Sequence, residues 1–188
     1  MIKELLKDTE AAMQKSVEVL RLDLMAIRTG RASPALVERL PVEYYGTHVP
    51  LNQLAAISAP EPRLLVIRPF NPGDIGAIER AILKSDLGLT PHNDGKLIRL
   101  TIPRLTEERR RELVKVVKRR VEEGRVAVRN CRRKAIEELR EFEKEKLISE
   151  DDFYRGKEDI QELADRFIEE MNKLGPVSYT HLTLPTKA

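Results

Sequence analysis

Between Arg125 and Lys134 the chain carries Arg125, Arg129, Arg132, Arg133 and Lys134 without one acidic residue. At 100° per residue, Lys118, Arg125, Arg129, Arg132 and Arg133 fall within about a third of a helix circumference. A solvated helix face interleaves signs, because opposite charges at i,i+4 stabilise it. This stretch forgoes those pairs and accepts mutual repulsion, so an external polyanion is its natural partner. Guanidinium suits phosphate, since its planar fork can hold two of the oxygens. The plain alternative is a solvated face balanced by acids on a neighbouring helix, such as Glu158 or Glu162. There is no RNA-recognition aromatic motif, KH loop or zinc-finger spacing. Any RNA binding should therefore be to backbone and shape.

Other chemistry-bearing residues do not assemble. His48, His92 and His181 stand far apart, none at metal-ligand spacing on a helix. Cys131 occupies a seam position of an apolar helical pattern and is expected to be a small core residue. Its three arginine neighbours would lower a thiol pKa were it exposed, which keeps an enzyme built on Cys131 as a rival. Asp151-Asp152 is helix-start charge rather than a metal pair. Gly73 and Gly76 make no common phosphate loop. By strand alternation, one of Tyr44 and Tyr45 should face a core and the other solvent. No active site emerges, and the chain is not expected to be an enzyme.

The arginines need a long helix to align them, and the periodicity supplies it. Leu6, Met13, Val17, Leu20, Leu24 and Ile27 recur at helical steps until Gly30-Arg31-Ala32-Ser33-Pro34 interrupts them. After Pro103, Thr106 can cap a helix with Glu107 and Glu108 in its first turn. Its seam is Val114, Val117, Val121, Gly124, Val128, Cys131 and Ala135, drifting to Leu139 and Phe142 before an end near Leu147. Roughly 40 residues at ~1.5 Å each make a rod on the order of 60 Å. Ser149-Glu150-Asp151-Asp152 opens a third helix as a capping box, with Phe153, Ile160, Leu163, Phe167 and Met171 as its seam.

Residues 30–105 follow another rule. Tyr44-Tyr45-Gly46-Thr47 reads as a hairpin turn, and Leu64 to Ile67 as a strand between Pro62 and Pro69. Asn71-Pro72-Gly73-Asp74 is a turn with Asp74 as N-cap for a helix from Ile75 to Ser85. Ile75, Ile78, Ile82 and Leu83 form its face, and Gly88 closes it. The turn at Asn93-Asp94-Gly95 leads to a strand from Leu97 to Ile102. The fold class is thus α+β. An antiparallel three-helix bundle (1–29 and 106–174) carries an inserted small domain (30–105) on two adjacent linkers that permit a hinge. From Gly175 to the end, two prolines and no helical period suggest a disordered tail outside the bundle.

Composition sets the outer bounds. The 188 residues are 35% charged and 41% hydrophobic, as exposed amphipathic helices require, and the formal charge is only +3. One cysteine excludes an internal disulfide. No stretch is long and apolar enough for a membrane span, and the N-terminus has no signal or transit character, so a cytoplasmic protein is expected.

Several segments together resemble the bacterial ribosome recycling factor family. They are Ile27-Arg28-Thr29-Gly30-Arg31-Ala32-Ser33-Pro34, Val42-Glu43-Tyr44-Tyr45-Gly46-Thr47, and Ala81 through Ser85-Asp86-Leu87-Gly88-Leu89. Leu105-Thr106-Glu107-Glu108-Arg109-Arg110, Val126-Ala127-Val128-Arg129-Asn130 with Arg132-Arg133, and Ile148-Ser149-Glu150-Asp151-Asp152 complete the set. They span nearly the whole chain to about residue 174, after which the sequence resembles no part of the family. The resemblance implies an elongated, L-shaped protein with an inserted β/α/β domain. It implies binding of the large ribosomal subunit and its RNA after termination, with elongation factor G splitting the ribosome for reuse. GTP is used by that partner, and the chain itself needs no cofactor and acts as a monomer. The family's functional arginines fall on Arg129 and Arg132, with Arg133 beside them. Its hinge falls on Arg28, Thr29, Gly30 and Arg31, and on Arg104, Leu105 and Thr106. A helical scaffold binding a protein through the arginine face is the alternative.

Overall fold

The structure is a computed structural model describing residues 1–183, with side chains as far as Ser178. Helix α1 (Ile2–Thr29) leads through a 3-10 turn at Pro34–Leu36 into strands β1 (Pro41–Tyr44) and β2 (Thr47–Pro50). A single turn, α2 (Leu51–Leu54), precedes β3 (Ala55–Glu61) and β4 (Leu64–Pro69). Helix α3 (Ile75–Lys84), β5 (Pro91–Asn93) and β6 (Ile98–Thr101) follow, and then helices α4 (Glu107–Lys144) and α5 (Glu150–Thr183). The fold is α+β, as expected: long helices and a small sheet. Two compact units form, one from Met1–Leu24 with Val117–Thr180, the other holding Met25–Val116.

The first unit is a three-helix bundle. Arg132 meets Gln161 and Arg125 meets Asn172, so α4 and α5 run antiparallel. Glu10 pairs with Arg166 and Arg21 with Glu170, so α1 and α5 run parallel. Each helix closes its apolar stripe against the other two. Met13, Val17, Val128, Leu139, Ile160, Phe167 and Met171 are all buried, and Leu5, Ala135 and Phe153 pack with Leu139 and Ile160. Full burial of such a side chain contributes ~1.5–3 kcal/mol, more than any surface ion pair here. Leu5 rather than Leu6, and Ala164 rather than Leu163, are the residues closed in, because the real seam follows contact and not size. Thr9 also sits buried, its hydroxyl donating to the Leu5 carbonyl at 2.7 Å. Cys131 is only half-buried, since Val128, Ala135 and Leu139 form the seam and Cys131 falls at its edge.

The expected break at Gly175 does not occur. Helix α5 runs through Gly175 and Pro176 to Thr183. The period persists there on small residues, with Met171, Gly175 and Ser178 buried, which an apolar count does not register. Pro176 removes one backbone donor from this turn. The Ser178 hydroxyl donates to the Leu174 carbonyl at 3.2 Å and so meets its own need inside the helix. The remainder of the expected disordered tail, from residue 184, lies outside the described residues.

In the second unit β1 and β2 form a hairpin in which Tyr44 pairs with Thr47. Tyr45 (φ 48°) and Gly46 (φ 80°) are both left-handed, the geometry of a two-residue turn matching strand twist. Tyr45 is thus a turn residue, so strand alternation does not decide its direction, and it is 89% exposed. The second sheet has the antiparallel order β3-β4-β6-β5. Leu65 opposite Leu100 and Ile67 opposite Ile98 line its buried face. Helix α3 packs on β1 and β5 through Ile78 and Ile82, whereas Leu83 turns outward. Asp74 makes no capping hydrogen bond; Asn71 instead accepts from the Gly73 amide, one turn earlier, because a 3-10 turn precedes the helix.

Candidate nucleic-acid interface

Helix α4 carries the stripe and is closed at its C-terminus by the Leu147 amide donating to the Phe142 carbonyl at 2.9 Å, with Lys146 left-handed (φ 61°). The Arg109 amide donates to the Thr106 hydroxyl at 3.1 Å, as the sequence predicts for a cap. Beyond the helix, the Asp152 amide donates to the Ser149 hydroxyl and the Ser149 amide to the Asp152 carboxylate, the reciprocal pair of a capping box. Within the bundle, Gly124 lets α4 approach its neighbours. An added Cβ would lie 3.1 Å from Met171 Sδ and 3.3 Å from Leu20 Cδ2. Contacts this close fix the rotation of α4, and hence the direction in which the arginines point.

Two arginines of the stripe, Arg132 and Arg133, are partnered by neutral amides, and two, Arg125 and Arg129, by a carboxylate. Arg132 donates to the Gln161 amide oxygen at 3.2 Å, and Arg133 to that of Asn130 at 2.7 Å. Arg125 donates to Asn172 on α5 at 2.7 Å and to Glu122 at 2.8 Å. Arg129 reaches the other oxygen of Glu122 at 3.3 Å. One carboxylate therefore serves two guanidinium groups. The Arg125 hydrogen bond, more than Arg129, holds the Glu122 carboxyl below its ordinary range. Lys118 is exposed on the same helix and has a partner of its own.

The alternative of acids on a neighbouring helix is not what α5 offers. Among the described residues, Arg132 meets Gln161 and Arg125 meets Asn172 on α5, rather than Glu158 or Glu162. Glu162 instead lines a groove with Lys3, Lys7 and Arg166. Sequence reasoning missed Gln161, Asn172 and the double role of Glu122. Only the last had a signal, Arg125 lying three residues after Glu122 on the same helix.

The residues expected to form a hinge lie side by side within the second unit. Gly30 is left-handed (φ 65°), and Leu105 Cδ1 lies 3.6 Å from where its Cβ would be. Thr29 donates to the Ala26 carbonyl at 3.0 Å and accepts from the Arg31 amide at 3.4 Å, ending α1. The Thr106 amide donates to the Arg104 carbonyl at 2.9 Å. The unit's boundaries fall at Leu24/Met25 and Val116/Val117, not at residues 30 and 105. Ala26, Ile27, Leu36, Leu87, Leu89 and Leu113 share one apolar pocket there, so the helix ends pack with the sheet's loops. Arg109, an anchor the sequence did not single out, donates to the Leu87 carbonyl at 2.8 Å across this region.

His48 and His92 lie on different strands, and His181 lies beyond the described side chains. Among the described residues no group of three or more His, Cys, Asp or Glu could hold a metal ion.

Comparison with known proteins agrees with the fold. The family model described as ribosome recycling factor matches residues 20–177. The ribosome-recycling factor of Carboxydothermus hydrogenoformans is 57% identical over 174 residues, covering 93% of this chain and 94% of that protein. That of Chloroflexus aggregans is 58% identical over 175 residues, covering 93% and 95%. A solution structure of the ribosome recycling factor aligns with a TM-score of 0.52 at 44% identity, covering 96% of each chain. Models for the T. thermophilus ribosome recycling factor and the E. coli elongation factor G bound to the E. coli post-termination complex align at 0.51. There the identity is 48%, with 97% of this chain and 98% of that one covered. With the family model spanning most of its length and relatives above half identity across nearly all of it, the chain belongs to the ribosome recycling factor family.

Proposed function

We propose that the chain docks its bundle on the RNA of the large ribosomal subunit through Lys118, Arg125, Arg129, Arg132 and Arg133. With elongation factor G it then separates the post-termination ribosome into subunits. As a member of its family it is a translation factor and not an enzyme. A similar structure is described together with elongation factor G on a post-termination complex, which supports the same partners for this chain. The observation that carries the docking face is the mismatch of charge on α4. Arg132 and Arg133 are held by neutral amides, which position a guanidinium without cancelling its charge. No helix is long and apolar enough to cross a membrane among the described residues, in keeping with action on ribosomes in the cytoplasm. The protein supplies no bond chemistry in this scheme, needs no cofactor and works as a monomer. GTP is consumed by the partner, and the inserted domain 30–105 swings on the paired segments Arg28–Arg31 and Arg104–Thr106.

The test is a subunit-splitting assay with elongation factor G and GTP, comparing the wild type with Arg132→Glu. Loss of splitting by the variant, with weaker and less salt-sensitive binding to large subunits, is the expected result. Removing one phosphate contact should lower the salt slope by ~1. Full splitting by Arg132→Glu would remove the arginine assignment, and no splitting by the wild type would remove the proposed function. Binding that ignores salt would favour a protein partner on the same face.

A further inference from the structure

The β1–β2 hairpin presents a feature that recycling through the bundle does not use. Its turn places Tyr45 at φ 48°, where Asn or Asp before glycine is the usual choice and a bulky residue is strained. The ring gains little inside the protein, since it is 89% exposed and its ring partner among the described residues is Tyr44, met edge-on with ring centres 4.5 Å apart. A strained backbone carrying an exposed aromatic ring points to a contact made outside the chain.

The surroundings specify that contact. Tyr45 and Gly46 border an open groove of about 480 Å³ between the hairpin and α3, with His48, Arg80, Lys84 and Ser85 along it. Arg80 and Lys84 stand one turn apart on α3, both exposed, and neither makes an ion pair or hydrogen bond among the described residues. Glu43 is the acidic residue of the lining, so the groove keeps a positive excess. A flat ring at the rim and two free cations along the wall match the two faces of a nucleotide, base and phosphate. An acidic peptide would use the cations but leave the ring without a stacking partner.

We propose that this groove is a second RNA-binding site, in which an unpaired base stacks on Tyr45 while its flanking phosphates meet Arg80 and Lys84. The site is separate from the arginine stripe and does not rest on it. Its test uses the full chain carrying Arg129→Glu and Arg132→Glu, which silences the stripe. Fluorescence anisotropy at low salt measures binding of labelled hexa-adenylate, of an abasic hexamer with the same backbone, and of a hexaglutamate peptide. Tyr45→Asn is the variant of choice, because asparagine tolerates the left-handed turn and preserves the hairpin.

The expected result is hexa-adenylate binding that Tyr45→Asn weakens by about fivefold or more, with the abasic hexamer weak throughout. Arg80→Gln with Lys84→Gln should lower the salt slope by ~1.4, the value for two phosphates of a single strand. Equal binding of all three probes, unchanged by Tyr45→Asn, would overturn the proposal in favour of a general cationic or acidic-peptide surface. Absence of hexa-adenylate binding would overturn it outright.

Discussion

At the level of single side chains, Glu122 accepts from Arg125 at 2.8 Å and from Arg129 at 3.3 Å. A phosphate approaching either guanidinium must therefore compete with a carboxylate already in place. The Glu122 pKa is depressed, chiefly by the Arg125 hydrogen bond, so its stabilising effect is full above the unfolded value and lost as pH falls through the folded one. At neutral pH Glu122 is ionised and competes fully. Glu122→Gln should then tighten binding to purified large subunits by about two- to fivefold, the range of one surface ion pair. That advantage should shrink as the wild-type carboxylate is protonated in acid. Equal or weaker binding by the variant at neutral pH would mean that Glu122 orders the arginines rather than masks them. The arginines themselves were legible in the sequence, because their spacing places them on one face of any helix. Their partners were not. Gln161 and Asn172 come from 29 and 47 residues away, and which α5 residues face α4 depends on interhelical packing that no local pattern encodes.

At the level of elements, helical period found α1, α4 and α5, and the turn chemistry at Tyr44–Thr47 found the hairpin. Strand β3 escaped because Ala55–Glu61 contains Pro60 and is exposed over its second half, which leaves no alternation to read. The continuation of α5 escaped because small residues carry its buried face. Glycine has the same double meaning inside the helices: poor propensity where exposed, close packing where buried. Gly156 on α5 shows the second kind, since an added Cβ would lie 2.8 Å from Leu139 Cδ2. Leu139 is fully buried and has no solvent side to retreat to. Gly156→Ala should gain ~1 kcal/mol of helix propensity and lose ~1–3 to overpacking. A net loss of up to about 2 kcal/mol would lower Tm by several degrees at this chain length. Gly76→Ala on α3 is the control, because its added Cβ meets only Arg80 Nη1 at 4.0 Å. Thermal unfolding followed by circular dichroism should separate the two variants. If both raise Tm, propensity alone governs and the packing role of Gly156 is wrong.

At the level of the whole molecule, the two units come from three stretches of chain, with edges at Leu24/Met25 and Val116/Val117 where the sequence pattern marks 29/30 and 105/106. The period of α1 runs unbroken through Leu20, Leu24 and Ile27, so nothing in the pattern marks where one unit's core ends. Packing decides it: Ala26, Ile27, Leu113 and Val116 are buried within the unit that holds the sheet. The proposed swing of the 30–105 domain draws instead on backbone such as Gly30, whose left-handed φ of 65° a side chain resists. Gly30→Ala isolates this effect. Its new Cβ would sit at an ordinary contact distance of 3.6 Å from Leu105, so the cost of roughly 1 kcal/mol is conformational rather than steric. The arginine stripe is untouched, and affinity for large subunits should stay within about twofold, a difference below ~0.5 kcal/mol. Splitting with elongation factor G should slow markedly, because docking and movement draw on different parts of the chain. Equal loss of affinity and splitting would trace the defect to misfolding, which the Tm would reveal. Unchanged splitting with unchanged affinity would place the moving joint away from Gly30, toward the unit boundaries at Leu24 and Val117.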